Sequence, residues 1–172
     1  MRAVALFFAA LLAARPYLFA ALLAACTHVE IKPPDGPLEF SLAGRIAARS
    51  GKDAFTGNIA WRHVSTGDEL LISTPTGQGV AQILRQGDAV VLKTSEGREY
   101  RAADSESLTE RVLGFRLPLE GLADWVQGKP SPALESRGWK IEYQDYDAQK
   151  RPTRMRLTNQ GVELRLAISQ WN

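Results

Sequence analysis

The side chains able to do covalent or proton chemistry are few: one cysteine, Cys26, and two histidines, His28 and His63. A serine nucleophile would need His63 as its base, and no nucleophile-elbow pattern places a serine for it. Asp68, Glu69, Asp104 and Glu106 stand beside turn or helix-start residues, where capping and solvation employ carboxylates. Gly77-Gln78-Gly79 lacks the Lys-Ser or Lys-Thr partner of a phosphate-binding loop. No catalytic machinery is therefore expected, and no metal or dissociable cofactor. Cys26 alone can close no internal disulfide, and it has no neighbouring cysteine or histidine cluster for a zinc site. What remains for its thiol is burial as a small hydrophobe or covalent modification.

The residues before Cys26 specify which modification. Arg15 and Pro16 interrupt the apolar N-terminus, and a charge at the centre of a membrane span costs about 2.5–3.5 kcal/mol, which disfavours a permanent transmembrane anchor. As an export signal the segment is better formed: Arg15 ends a long basic region, Pro16 to Leu23 is the apolar stretch, and Ala24-Ala25 are the small residues of a cleavage site. Leu23-Ala24-Ala25-Cys26 resembles the bacterial lipobox. That resemblance implies removal of residues 1–25, a diacylglycerol thioether on Cys26 and acylation of the new α-amino group. Each buried acyl CH₂ contributes about 0.8 kcal/mol, so two or three chains anchor stably where one does not. Thr27 follows the cysteine, where the enterobacterial sorting rule reads aspartate as inner-membrane retention, so the expected location is the periplasmic face of the outer membrane, by lipid anchor.

Loss of residues 1–25 removes Arg2 and Arg15 and no acids, bringing the 21 Lys and Arg level with the 19 Asp and Glu. No cationic excess then remains to neutralise nucleic-acid phosphates, and nucleic acid is not an expected partner.

Thr27 to Pro37 contains Pro33, Pro34 and Pro37 without apolar periodicity, so residues 26–37 read as a lipidated, semi-extended tether and residues 38–172 as a single domain. Period-two alternation then dominates. Phe40, Leu42, Gly44, Ile46 and Ala48 share one face against Ser41, Arg45 and Arg49; Phe55, Gly57, Ile59 and Trp61 share another. Further strands are expected at residues 68–74, 79–86, 88–95 and 97–102, separated by turn chemistry, and in the last third around Trp139, Ile141 and Tyr143, around Met155 and Leu157, and along Val162, Leu164, Leu166 and Ile168. Between them lie two expected helices. The first opens at Asp104 with a Ser107-x-x-Glu110 capping box and carries Leu108, Val112 and Phe115 up to Pro118; the second carries Leu119, Leu122, Trp125 and Val126 up to Gly128. The class is mainly β with some α: a sandwich, or an unclosed antiparallel meander barrel covered or plugged by short helices. Either shape encloses an apolar interior, in which Trp61, Trp125, Trp139 and Trp171 are core residues or pocket walls.

Several blocks carry a more specific resemblance. Gly44-Arg45-Ile46, Trp61, residues 70–84, the run Gly114 to Pro130 with Gly-x-x-Leu-Pro followed by Leu-x-x-Trp-x-x-Gly-x-Pro, residues 138–147 and the closing residues 164–171 resemble the LolB family of outer-membrane lipoproteins across the mature chain. The resemblance implies an open LolA/LolB-like barrel whose helices cover a cavity for acyl chains. It further implies a monomer that accepts acylated lipoprotein cargo from the periplasmic carrier LolA and passes it to outer-membrane lipid. The residues it places in the cavity are Phe40, Leu42, Ile46, Phe55, Ile59, Trp61, Leu71, Leu122, Trp125, Trp139 and Ile141. It assigns membrane insertion to the loop Pro75-Thr76-Gly77, where this chain departs from the family's Pro-Leu-Gly; Thr76 has less apolar area to press into lipid, so Val80 or the anchor would have to compensate. Two other readings stay open at this point: an envelope assembly lipoprotein that binds proteins on its strand edges, and a lipocalin-like binder of a small apolar ligand.

Overall fold

Apolar–polar alternation carries nine strands into one antiparallel sheet. The computed structural model describes residues 32–172. The export signal expected over residues 1–25, the lipidation expected at Cys26 and the tether up to residue 31 lie outside the described residues. The elements are β1 (Leu38–Ser50), β2 (Asp53–Val64), β3 (Gly67–Ser73), β4 (Gly79–Gln86), β5 (Ala89–Thr94), β6 (Glu99–Ala102), α1 (Ser105–Leu113), α2 (Leu119–Val126), α3 (Pro132–Ser136), β7 (Lys140–Tyr146), β8 (Pro152–Asn159) and β9 (Val162–Trp171).

The strand order is β6-β5-β4-β3-β2-β1-β9-β8-β7. The chain thus meanders outward from β1 on one side, and the last three strands return on the other, with β9 beside β1. Strands β6 and β7 are the two edges, and the chain joins them through the three helices. This is the unclosed meander, not the sandwich.

Register assigns the faces. Leu42 faces Trp61, and Trp61 faces Leu70; Ile46 faces Leu166, and Leu166 faces Met155. These side chains belong to one buried cluster that also holds Leu108, Leu117, Leu122, Trp125 and Leu134 from the helical segment, so the helices pack on this inner face. The described residues, 32–172, form a compact unit with that core of their own. Gly44 sits where β1 and β9 shift register; a Cβ there would lie 2.2 Å from the Ala167 carbonyl oxygen, so only glycine lets the two backbones approach.

The helical segment differs from expectation in three ways. Asp104 itself is the N-cap of α1, accepting from the N–H of Glu106 at 3.2 Å and of Ser107 at 2.9 Å, so the helix begins at Ser105 and no capping box forms at Ser107. Gly114, at φ 81°, ends α1 ahead of Pro118, because a left-handed residue closes a helix more abruptly than a distant proline. Helix α3 was not expected; five residues are too few to show a period, and Pro132 at its start was the one available signal. Within α2, Glu120 and Gly121 depart from helical angles, so its regular part begins at Leu122.

Candidate functional site

The space between sheet and helices is apolar and almost filled. Ile46, Ile59, Trp61, Leu117, Leu122, Leu157, Leu164 and Leu166, with Arg165 at one side, line a void of about 10 Å³, room for no more than one water. Among the residues expected in a cavity, Ile46, Ile59, Trp61 and Leu122 line this void directly. Phe40, Leu42, Trp125 and Trp139 are buried in the same cluster, and Phe55 and Ile141 are partly buried against it. Phe40 packs edge-on to Trp61 at 5.2 Å and to Trp171 at 5.7 Å, and Phe55 stacks on Phe115 at 5.5 Å.

Leu71 is the exception. Leu70 and Ile72 take the inner positions of β3, so period two puts Leu71 on the opposite, outer face, where it is 49% exposed. The placement of Leu71 in the cavity is corrected accordingly. Leu117, Leu157, Leu164 and Leu166 were not among the expected site residues. The strand leucines carry the same alternation as Ile46 and Ile59 and were legible by that rule; Leu117, in an extended link between helices, had no periodic signal.

Two polar networks, one buried around Asp68 and one half-buried around Arg137, hold these walls. Asp68, fully buried, accepts from the Trp61 Nε1–H at 2.8 Å, from the Arg85 Nε–H at 2.6 Å and pairs with His63 Nδ1 at 2.6 Å. The sequence reading gave Asp68 to turn solvation; the register that faces it to His63 and Arg85 is what draws it inside. On the helical side, the Arg137 guanidinium lies 2.9 Å from Glu106 and 3.6 Å from Glu120, and donates to the Glu120 carbonyl at 2.7 Å. Glu106 also accepts from the Trp139 Nε1–H at 3.1 Å, and Ser105 Oγ donates to Glu120 at 2.6 Å. All three helices are thereby tied to one another. Fewer bonds tie them to the sheet: Tyr143 Oη donates to the Trp125 carbonyl at 2.8 Å, and Asn159 to that of Arg137 at 3.2 Å. Burial and the nearby Tyr146 push the Tyr143 phenol above its ordinary range.

The loop Pro75-Thr76-Gly77 joins β3 to β4 as a tight polar turn. Thr74 accepts the Gly77 N–H on its carbonyl at 2.9 Å, and its hydroxyl lies 2.9 Å from that of Thr76. Val80, the suggested substitute for a leucine at the tip, is partly buried against the core. Gly77 of the loop and its neighbours Gly79, Val80, Lys93, Thr94 and Ser95 wall a groove of about 700 Å³ on the outer face, floored by Ala43, Ala60 and Leu71.

Comparison with known proteins bears on this arrangement. Residues 38–171 match the family model described as outer membrane lipoprotein LolB. A protein of Azoarcus sp. named outer-membrane lipoprotein LolB is 35% identical, over 77% of this chain and 78% of the relative. One of the same name from Chromobacterium violaceum is 34% identical, over 88% of this chain and 94% of the relative. Among solved structures, a LolA superfamily protein of Nitrosomonas europaea matches with a TM-score of 0.51 at 13% identity, covering 81% of this chain and 87% of that one; it is similar in fold.

Proposed function

Because this chain belongs to the LolB family of outer-membrane lipoproteins, we propose that it accepts acylated lipoproteins from the periplasmic carrier LolA into the space between sheet and helices and delivers them to outer-membrane lipid. One observation carries this reading: a continuous apolar surface, contributed by both layers, leaves almost no empty volume between them. Such a surface exposes acyl-sized space only when the helical layer lifts from the sheet. The helices are bonded more extensively to each other than to the strands, which supports their moving together.

In this reading the protein is a monomer that needs no catalytic residue and no dissociable cofactor. Acyl chains move from carrier to receptor to bilayer because each successive apolar environment holds them better, and covering them throughout avoids the cost of wetting, about 25 cal/mol per Å². The walls are Phe40, Leu42, Ile46, Phe55, Ile59, Trp61, Leu122, Trp125, Trp139 and Ile141, joined by Leu117, Leu157, Leu164 and Leu166. Lipid on Cys26 holds the receptor at the outer membrane, and Pro75-Thr76-Gly77 lies against that membrane during release.

The direct test mixes the protein with carrier loaded with a tri-acylated lipoprotein and asks by pull-down which of the two holds the cargo. Cargo on this protein supports the receptor reading; cargo remaining on the carrier in the presence of folded protein overturns it.

A further inference from the structure

The outer face of the sheet is divided by charge. On the half formed by β3 to β6 acids and bases are equal in number: the strands carry Asp68, Glu69 and Glu99 against Arg85, Lys93 and Arg101, and Glu99 pairs with Lys93 at 3.5 Å and Arg101 at 2.5 Å. On the half formed by β1, β9 and β8 they are not. Arg45 and Arg154 flank Ala167 in one cross-strand row, Arg165 and Arg156 face each other in the next, and Arg49 faces Glu163 in a third. Glu163 serves both Arg165, at 2.7 Å, and Arg156, at 3.8 Å, while Glu142 lies 3.5 Å from Arg156. Asp145 is paired with Arg154 in register at the β7 bulge. Arg45, Arg49 and Arg154 are exposed and make no ion pair among the described residues. Two arginines opposed across a ladder destabilise a sheet unless something else uses their charge.

The apolar groove borders this half. Its floor, Ala43, Ala60 and Leu71, is one cross-strand row, and the adjacent row runs Arg45, Asn58, Ser73 into the β3–β4 loop. Arg45 is therefore two strands from the loop, about 10 Å. A cationic strip thus lies beside a groove holding one of the few large exposed apolar side chains.

We propose that this outer face is a docking surface for anionic phospholipid bilayers, with the arginines on lipid phosphates and Leu71 in the groove reaching the acyl boundary. The proposal rests on the reading that the protein delivers cargo to a membrane, and gives the role of an apolar loop tip, absent at Thr76, to charge and to Leu71. Phosphate beside hydrocarbon is what such a bilayer presents, and guanidinium is the side chain suited to phosphate.

Residues 32–172, which form a unit with its own core, test the surface without the anchor. Vesicles of phosphatidylethanolamine with phosphatidylglycerol are compared with vesicles of phosphatidylcholine by flotation. The expected result is preference for the anionic vesicles, weakened by added salt. Each basic residue at an anionic surface contributes roughly fivefold, so Arg45→Gln with Arg154→Gln should weaken binding about 25-fold. Arg101→Gln, on β6 outside the groove, should leave it unchanged. Leu71→Ser should lower the binding that survives high salt, roughly tenfold. Equal binding to both vesicles overturns the proposal. So does loss of carrier binding by the Arg45 and Arg154 variant with vesicle binding intact, which would assign the face to an acidic protein. Cargo uptake in vesicle-free solution, measured in parallel, reports the receptor reading separately from this one.

Discussion

The indole N–H of Trp61 is donated to Asp68, a fully buried carboxylate on the neighbouring strand, at 2.8 Å. Trp61 is both a wall of the interior void and the neighbour of Phe40, so the orientation of this wall depends on a charge. Asp68 is in turn matched by Arg85 and His63. Asp68→Ala should destabilise the fold by about 3–5 kcal/mol, because it leaves the Arg85 charge partly buried and unpaired and the indole without an acceptor. Denaturant unfolding with tryptophan fluorescence reads both consequences; an unchanged midpoint and spectrum would show that the network does not fix the wall.

The interior predicts an effect of charge on uptake. Ile59→Asp places a carboxylate against the void and should abolish transfer of cargo from carrier. Leu122→Ser, milder and on the helical layer, should lower transfer while circular dichroism stays native. If folded Leu122→Ser protein takes up cargo like the parent, the acyl chains lie elsewhere.

Helix α1 should show a pH dependence. Burial raises the Asp104 pKa, but the N–H groups of Ser107 and Glu106 outweigh it and the carboxyl lies below its usual range. A group depressed in the folded state stabilises above its unfolded pKa, about 4, and loses that contribution as pH falls through the lower folded value. Asp104→Ala should cost about 1 kcal/mol at neutral pH and flatten the acid limb of the stability curve below about pH 4. A parallel acid limb in the variant would remove the cap from the explanation.

Gly44→Ala tests how closely β1 and β9 approach. The added Cβ would meet the Ala167 carbonyl oxygen at 2.2 Å, so the strands must separate, and a loss of roughly 1–3 kcal/mol is expected, as for other overpacked sites. Thermal unfolding checks it, with Gly51→Ala as a comparison at a turn where a Cβ meets nothing but the backbone has φ 59°.

The polar tip of the β3–β4 loop should accept an apolar residue. Thr76→Leu loses the contact with the Thr74 hydroxyl at an exposed site and adds area that can enter lipid. Vesicle binding should rise about tenfold or more, since burying a leucine contributes about 1.5–3 kcal/mol. No change in binding, with the fold intact, would place the loop away from the bilayer.

The strands and the two longer helices were legible because each depends on neighbours in sequence, and the modification expected at Cys26 is read from the same kind of local signal. Period two needs only the residues i and i+2, as in Ile46 and Ala48, and a lipobox is a contiguous word. The family resemblance rested on similarly local blocks. What tertiary structure decided was every relation that crosses strands. Leu71 looks as apolar as Leu70 in the sequence, and only the pairing of β3 with β2 sends one inward and the other to the outer groove. Asp68 reads as a turn carboxylate until register sets it between His63 and Arg85. Arg45, Arg154 and Arg165 are far apart in the chain, and become one charged surface because β9 returns beside β1. Local chemistry chooses the conformation of a segment, but a face, a buried charge or a closed cavity is a property of which segments meet, and that is settled by packing.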